Sequence, residues 1–226
     1  MTSGAKGVWC VVVAAGSGSR FGTHKQFESL GSQRVIDHSL RTAAEACEGV
    51  VAVLPAAAIA EGIVVPDADL VVAGGDTRTA SSQAGTDSVP DSAEVILVHD
   101  AARPLASPEL FARVVSAVRA GADAVVPVVP VVDSIRHVNG SVVDRDELRA
   151  VQTPQGFRAA LLREALASTP EATDDAQAAE LTGAAVQMVD GEPTNVKITT
   201  PADLLFVRAV LDERAPGART HDERAE

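Results

Sequence analysis

Three short segments combine residue types and spacings that could do chemistry, and that chemistry is the handling of phosphate. The first is Ala14-Ala15-Gly16-Ser17-Gly18-Ser19-Arg20-Phe21-Gly22, followed by Lys25-Gln26. Its glycines let backbone N–H groups approach an anion closely, and Arg20 and Lys25 add two cations. It is not a Walker A loop, because the Gly-Lys-Ser/Thr ending is absent. Nor is it a good dinucleotide fingerprint: position 21 is Phe, and no acidic residue ends the second strand. The second segment is His99-Asp100-Ala101-Ala102-Arg103-Pro104, directly after an apolar run. An Asp there can hold Mg2+ against phosphate oxygens, and Arg103 can clamp a further phosphate. A turn Asp that bonds its own backbone is the competing reading. The third is Gly74-Gly75-Asp76-x-Arg78-x-x-Ser81. Its two glycines fit close backbone approach to a flat group such as a base, or else Asp76 simply caps a helix.

The elements that must position these residues follow from apolar patterning. Val8 to Ala15 is a continuous apolar run ending at Gly16, as expected of a strand buried on both faces. Residues 50–54, 70–72, 95–98, 186–190 and 196–198 read as further short strands. Residues 35–48, 79–88, 158–168 and 174–181 have helical spacing. Residues 108–120 do too, with Ser107 as cap and Pro108 at the first position. Residues 201–212 form a last helix capped by Thr200. Residues 124–132 read as a Val-rich strand, bent or near an edge because Pro127 and Pro130 interrupt it. Asn139-Gly140 marks a hairpin within residues 134–148. Strands alternating with helices predict a three-layer α/β/α sheet.

Composition narrows the function. The 226 residues include 31 acidic and 19 basic side chains, a net charge of −12, and 46% are apolar. That balance argues against disorder and against a general nucleic-acid binder. It leaves room for an anionic small ligand, because a few placed cations dominate a pocket. Only three residues are lysines, and two of them, Lys25 and Lys197, fall in chemistry-bearing segments. Cys10 and Cys47 read as buried free thiols of a reducing compartment. No signal-peptide pattern and no apolar run near a membrane span is present, so a cytoplasmic protein is expected.

Together the segments resemble the cytidylyltransferase family that makes 4-diphosphocytidyl-2-C-methyl-D-erythritol in the non-mevalonate isoprenoid pathway. The resemblance extends from about Val8 to Val210. Beyond the three segments it is carried by Thr153-Pro154-Gln155, Thr173-Asp174 and Asn195-x-Lys197-x-Thr199. It implies a Rossmann-like nucleotidyltransferase fold with a mostly parallel mixed sheet and a projecting β-arm. The arm would lie at about 133–150; chain size suits one domain over residues 1–212, and residues 213–226, polar and without periodicity, read as a flexible tail. The implied substrates are CTP and 2-C-methyl-D-erythritol 4-phosphate, with Mg2+ as cofactor. Arg20, Lys25 and Lys197 would neutralise phosphate during transfer, and Asp100 would hold the metal. Ala14, Ala15, Gly16, Gly18, Gly75, Asp76 and Ser81 would line the nucleotide site with Asp100. Arg103, Thr153, Thr173 and Lys197 would face the acceptor, completed by Ser134 and Arg145 from the swapped arm of a homodimer partner.

The chain departs from the family pattern in four places. Val13 stands where Pro is frequent, Ser134 where Thr is common, and Asp175 where Glu is common; the arm is short. Competing readings are a ribitol-5-phosphate cytidylyltransferase, a catalytically inactive nucleotide-sensing protein of the same fold, and an NAD-dependent oxidoreductase. The second would have lost Arg20, Lys25, Asp100 or Lys197, and all four are present.

Overall fold

Alternating apolar side chains on the first strand set up the core. In the computed structural model, which describes residues 5–16, 25–169 and 171–214, β1 is Ala5–Val13. Val8, Cys10 and Val12 enter the core on one side of the sheet and Val11 on the other. The short β2 (Ser29–Leu30) and β3 (Gln33–Arg34) form a ribbon before α1 (Val35–Ala46). Then come β4 (Cys47–Leu54), α2 (Ala56–Ala60), β5 (Leu70–Ala73), α3 (Arg78–Asp87), β6 (Val95–Asp100) and α4 (Pro108–Arg119). β7 (Ala124–Pro130), β8 (Ile135–Arg136), β9 (Val142–Val143), β10 (Arg149–Val151) and β11 (Gln155–Arg158) follow. The chain continues through α5 (Ala159–Ser168), α6 (Asp175–Leu181), β12 (Val186–Asp190) and α7 (Pro201–Arg214).

The main sheet has eight strands in the order β10-β7-β11-β6-β1-β4-β5, with β12 on β7. β6, β1, β4 and β5 are parallel, and β10 and β11 run antiparallel to their neighbours. One face packs on α1 and α4 through Ile36, Leu40, Leu110, Phe111 and Val114. The other packs on α5 and α6 through Leu162, Leu166, Ala176 and Ala179. Helices on both faces of a mixed, mostly parallel sheet give the expected α/β fold. A third, smaller cluster joins Leu30, Val35, Leu105, Ile198, Leu204 and Val207. It seats the segment carrying Lys197 beside the segment carrying Lys25. Among the described residues, no helix is long and apolar enough to cross a membrane.

Three local expectations change. The first helix stops at Ala46, and Cys47 turns extended to open β4; both cysteines are buried and free. Residues 196–198 form no strand: Ile198 N–H bonds the Ala102 carbonyl, and its side chain fills the third cluster. The alternation that looked like a strand is that of a segment pinned against the turn after β6. β7 is paired along both edges, with β12 on one side and β11 then β10 on the other. The N–H and C=O of one strand residue point the same way, and the Pro127 carbonyl accepts from Gln152 N–H. The donor that Pro127 lacks would therefore point to where the ladder passes from β11 to β10, so the proline breaks no continuous pairing.

β8 and β9 form a hairpin with Ile135 opposite Val143, and Gly140 takes φ +92° in its turn, as Asn139-Gly140 predicts. The described tail of α7 is helical to Arg214, so residues 213 and 214 continue the helix rather than starting a tail. The expected tail beyond 214 lies outside the described residues.

Gly85 shows how tightly α3 is set on the sheet. A Cβ there would lie 2.3 Å from Val11 and 2.7 Å from Val53. Gly85→Ala is expected to lower the free energy of unfolding in urea by about 1–3 kcal/mol through overpacking.

Candidate active site

The C-terminal ends of β1 and β6 open on a cleft of about 430 Å3. Open α/β sheets place ligands at this edge. Ala14, Ala15 and Gly16 enter it from the end of β1, and Asp100, Ala101 and Ala102 from the end of β6. Gly75, Asp76, Thr77, Arg78 and Ser81 come from the start of α3, Lys25 and Gln26 from a 3-10 turn (Lys25–Phe27) between β1 and β2, and Lys197 and Thr199 from the pinned segment.

Asp100 is the centre of charge. Lys197 Nζ lies 2.8 Å from its Oδ2, Arg103 Nε 3.6 Å from the same oxygen, and Arg78 Nη2 3.7 Å from Oδ1. Burial alone would push the Asp100 carboxyl up, but Lys197, Arg78 and Arg103 overcome it and hold the group well below the usual carboxylate range. The group is therefore an anion. Arg78 also lies 2.7 Å from Asp175, which is 1% exposed in the first turn of α6. Burial pushes the Asp175 carboxyl up, and the guanidinium works against that.

A buried polar network holds these charges in place. Asp100 N–H donates to Thr153 Oγ1, which lies 3.0 Å from His99 Nδ1; His99 Nε2 lies 3.2 Å from the Arg103 carbonyl. Burial pushes His99 down to about 4, so the ring is neutral. One assignment satisfies every partner: Thr153 donates to Nδ1, and Nε2–H donates to the carbonyl. Asn195 Nδ2 donates to the Thr153 carbonyl, and Arg103 and Gln152 both donate to the Asn195 carbonyl. The end of β6, the bend between β10 and β11, and the Lys197 segment thus form one unit. Gln26 does the same for the first segment: its Nε2 donates to the Ala14 carbonyl at 2.7 Å and sits 3.4 Å from that of Gly16.

The structure distributes the expected site residues unevenly. Ala14, Ala15, Gly16, Lys25, Gly75, Asp76, Ser81, Asp100 and Lys197 share the cleft. Arg103 abuts Asp100 from outside the lining. Thr153 is buried, with its hydroxyl inside the network. Thr173 is exposed beside the α6 cap, its N–H donating to Gln177 Oε1. Ser134 and Arg145 lie on the exposed arm, where the Arg145 guanidinium bonds the Val132 carbonyl. Gly18 and Arg20 lie outside the described residues. Thr77, not Asp76, caps α3, which leaves Asp76 to the cleft. Gly74 is needed for internal packing: a Cβ there would lie 2.2 Å from Ala15 and 2.8 Å from Ser81 Oγ. The roles of Gln26, Asn195 and Arg78 were not assigned from residue types, although each stands within one of the motifs.

A mixed, mostly parallel sheet with a cation-lined cleft at the C-terminal ends of its strands, together with its likeness to solved cytidylyltransferases, places the fold among Rossmann-like nucleotidyltransferases. The profile of the family described as IspD: 2-C-methyl-D-erythritol 4-phosphate cytidylyltransferase matches residues 8–213. A protein of that name from Rhodococcus opacus (strain B4) is 46% identical over 228 residues, covering 95% of this chain and 100% of the relative. One from Nocardia farcinica (strain IFM 10152) is 42% identical over 220 residues, covering 92% and 95%. The crystal structure of the enzyme of that name from Thermus thermophilus superposes with a TM-score of 0.78 at 36% identity, covering 89% of this chain and 97% of that one. The chain belongs to the 2-C-methyl-D-erythritol 4-phosphate cytidylyltransferase family.

The Thr153 hydroxyl accepts from a buried N–H and serves His99. Thr153→Val is expected to cost about 1–3 kcal/mol of unfolding free energy by leaving that N–H unpaired. Thr153→Ser should retain most of it. Equal stability of the Val and wild-type proteins in urea titrations would exclude the network's role.

Proposed function

We propose that this chain transfers the cytidylyl group of CTP to 2-C-methyl-D-erythritol 4-phosphate and releases pyrophosphate. Membership of the family supports the reaction and both substrates. The observation that carries it in this chain is the meeting of Lys25, Arg78 and Lys197 with ionised Asp100 in one cleft. An acceptor phosphate oxygen attacks the α-phosphorus in line. The new P–O bond forms as the bond to the β-phosphate breaks, and pyrophosphate leaves with that electron pair. A phosphate monoester is largely ionised near neutral pH, so the nucleophile needs no general base. His99 is buried and committed to structural bonds, in keeping with that chemistry.

The barrier is repulsion between anions and charge growing on phosphorus, so positioning and electrostatics supply the catalysis. Lys25 and Lys197 neutralise phosphate oxygens, as Arg20 would from the glycine-rich segment. Ala14, Ala15, Gly16, Gly18, Gly75, Asp76 and Ser81 hold the nucleotide. Arg103 and Thr173 serve the acceptor side, and Thr153, whose buried hydroxyl is committed to Asp100 N–H and His99, supports it from within the network.

Asp100 suits Mg2+, since it is an ionised oxygen donor facing a site for phosphates. Among the described residues no group of three His, Cys, Asp or Glu gathers into a protein-only cage, so the phosphates would complete the coordination. When bound there, the ion supplies further charge neutralisation. Two chains would pair through exchanged arms, with Ser134 and Arg145 of each completing the other's acceptor site.

The test is pyrophosphate release with each NTP, supplied in turn with 2-C-methyl-D-erythritol 4-phosphate and ribitol 5-phosphate. CTP with the methylerythritol acceptor should dominate. Lys25→Ala and Lys197→Ala should each lower kcat by about 10²–10³-fold with the fold intact. Arg145→Ala should raise KM for the acceptor more than for CTP. Near-normal kcat in both lysine variants contradicts the proposal.

A further inference from the structure

The Arg78–Asp175 pair meets a different oxygen of Asp100 from the one that Lys197 meets. Lys197 and Arg103 approach Asp100 Oδ2, whereas Arg78 approaches Oδ1. Asp100 is thus held on both edges by three cations from three distant parts of the chain. Arg78 is itself held from behind. Asp175 sits 2.7 Å from its Nη2 at 1% exposure, a position a carboxylate tolerates only beside a cation. The start of α6 is fixed in turn by Gln155, which accepts from Ala176 N–H and donates to Asp174 Oδ2. A planar guanidinium can serve two carboxylates and still present an edge to the cleft; a lysine ammonium is a point charge on a flexible stem.

We propose that Asp175 and Arg78 are positioning residues for the transfer: buried Asp175 fixes the Arg78 guanidinium, and Arg78 fixes the orientation of Asp100 towards the phosphates. The inference rests on the cytidylyl-transfer reading of the cleft. It also explains why a carboxylate with no access to the cleft lies beneath it.

Arg78→Gln, Asp175→Asn and the double variant test this by kcat, KM for CTP and thermal unfolding. Each single variant should lower kcat by about 10²-fold with little change in KM for CTP, the pattern for an interaction that matters in the transition state. Arg78→Gln should also lower Tm, because it leaves Asp175 buried and unpaired. The double variant should recover Tm while kcat stays low. Recovery of kcat together with Tm would show a merely structural pair and overturn the proposal. So would single variants whose kcat stays within about threefold of wild type. A second readout needs no turnover. Unfolding free energies of Asp100→Asn, Asp175→Asn and their combination should be non-additive, because Arg78 links the two carboxylates. Additivity overturns the proposal even where activity is lost. A wild-type protein that releases no pyrophosphate while showing this coupling would overturn the transfer reading alone.

Discussion

One buried anion organises the molecule. Asp100 ends a central strand, where desolvation opposes its charge, and three cations keep it ionised. Removing one member of such a group leaves the others exposed to the desolvation penalty that the set offsets. The cations come from the start of α3, the turn after β6 and the segment before α7. The sheet, its flanking helices and the third apolar cluster must therefore be placed correctly for Asp100 to exist as an anion. The same charges that hold the site together are those that phosphates would engage, so stability and function draw on one set of interactions.

The supporting shell is polar and closely paired. His99, Thr153, Asn195, Gln152 and Arg103 connect three segments through hydrogen bonds, and burial keeps the imidazole neutral. Catalysis by positioning needs such support, since a phosphate transfer with an ionised nucleophile asks little covalent chemistry of the protein. The net charge of −12 does not contradict an anionic substrate. Lys25, Arg78 and Lys197 line the cleft with Arg103 beside it, so cations stand where phosphates would lie although the chain as a whole is acidic.

Much of the layout was legible because its signals are local. A continuous apolar run followed by glycine gave β1 and the cleft's first wall. A buried strand ending in His99-Asp100 placed the central acid, and Asn139-Gly140 gave the hairpin. What was not legible depends on partners remote in sequence. Nothing near Arg78 announces Asp175, and an uncharged Gln26 does not reveal that it ties Ala14 to Gly16. Residues 196–198 alternate like a strand, yet Ile198 is held by one backbone bond and a small cluster. The run 35–48 kept helical spacing past the point where Cys47 turns extended. Pro127 argued for an edge, but the register passes from one neighbour to another at that residue. The glycine at 74 was read as room for a base, while the space is taken by Ala15 and Ser81.

The central claim is that the cleft lets the acceptor's own ionised phosphate attack the α-phosphorus. It is tested most directly by supplying an acceptor with 18O on its phosphate and locating the label by mass analysis. The account predicts 18O in the new diphosphate bridge and none in the pyrophosphate released. Label in the pyrophosphate, or a product whose bridge carries no acceptor oxygen, would contradict it.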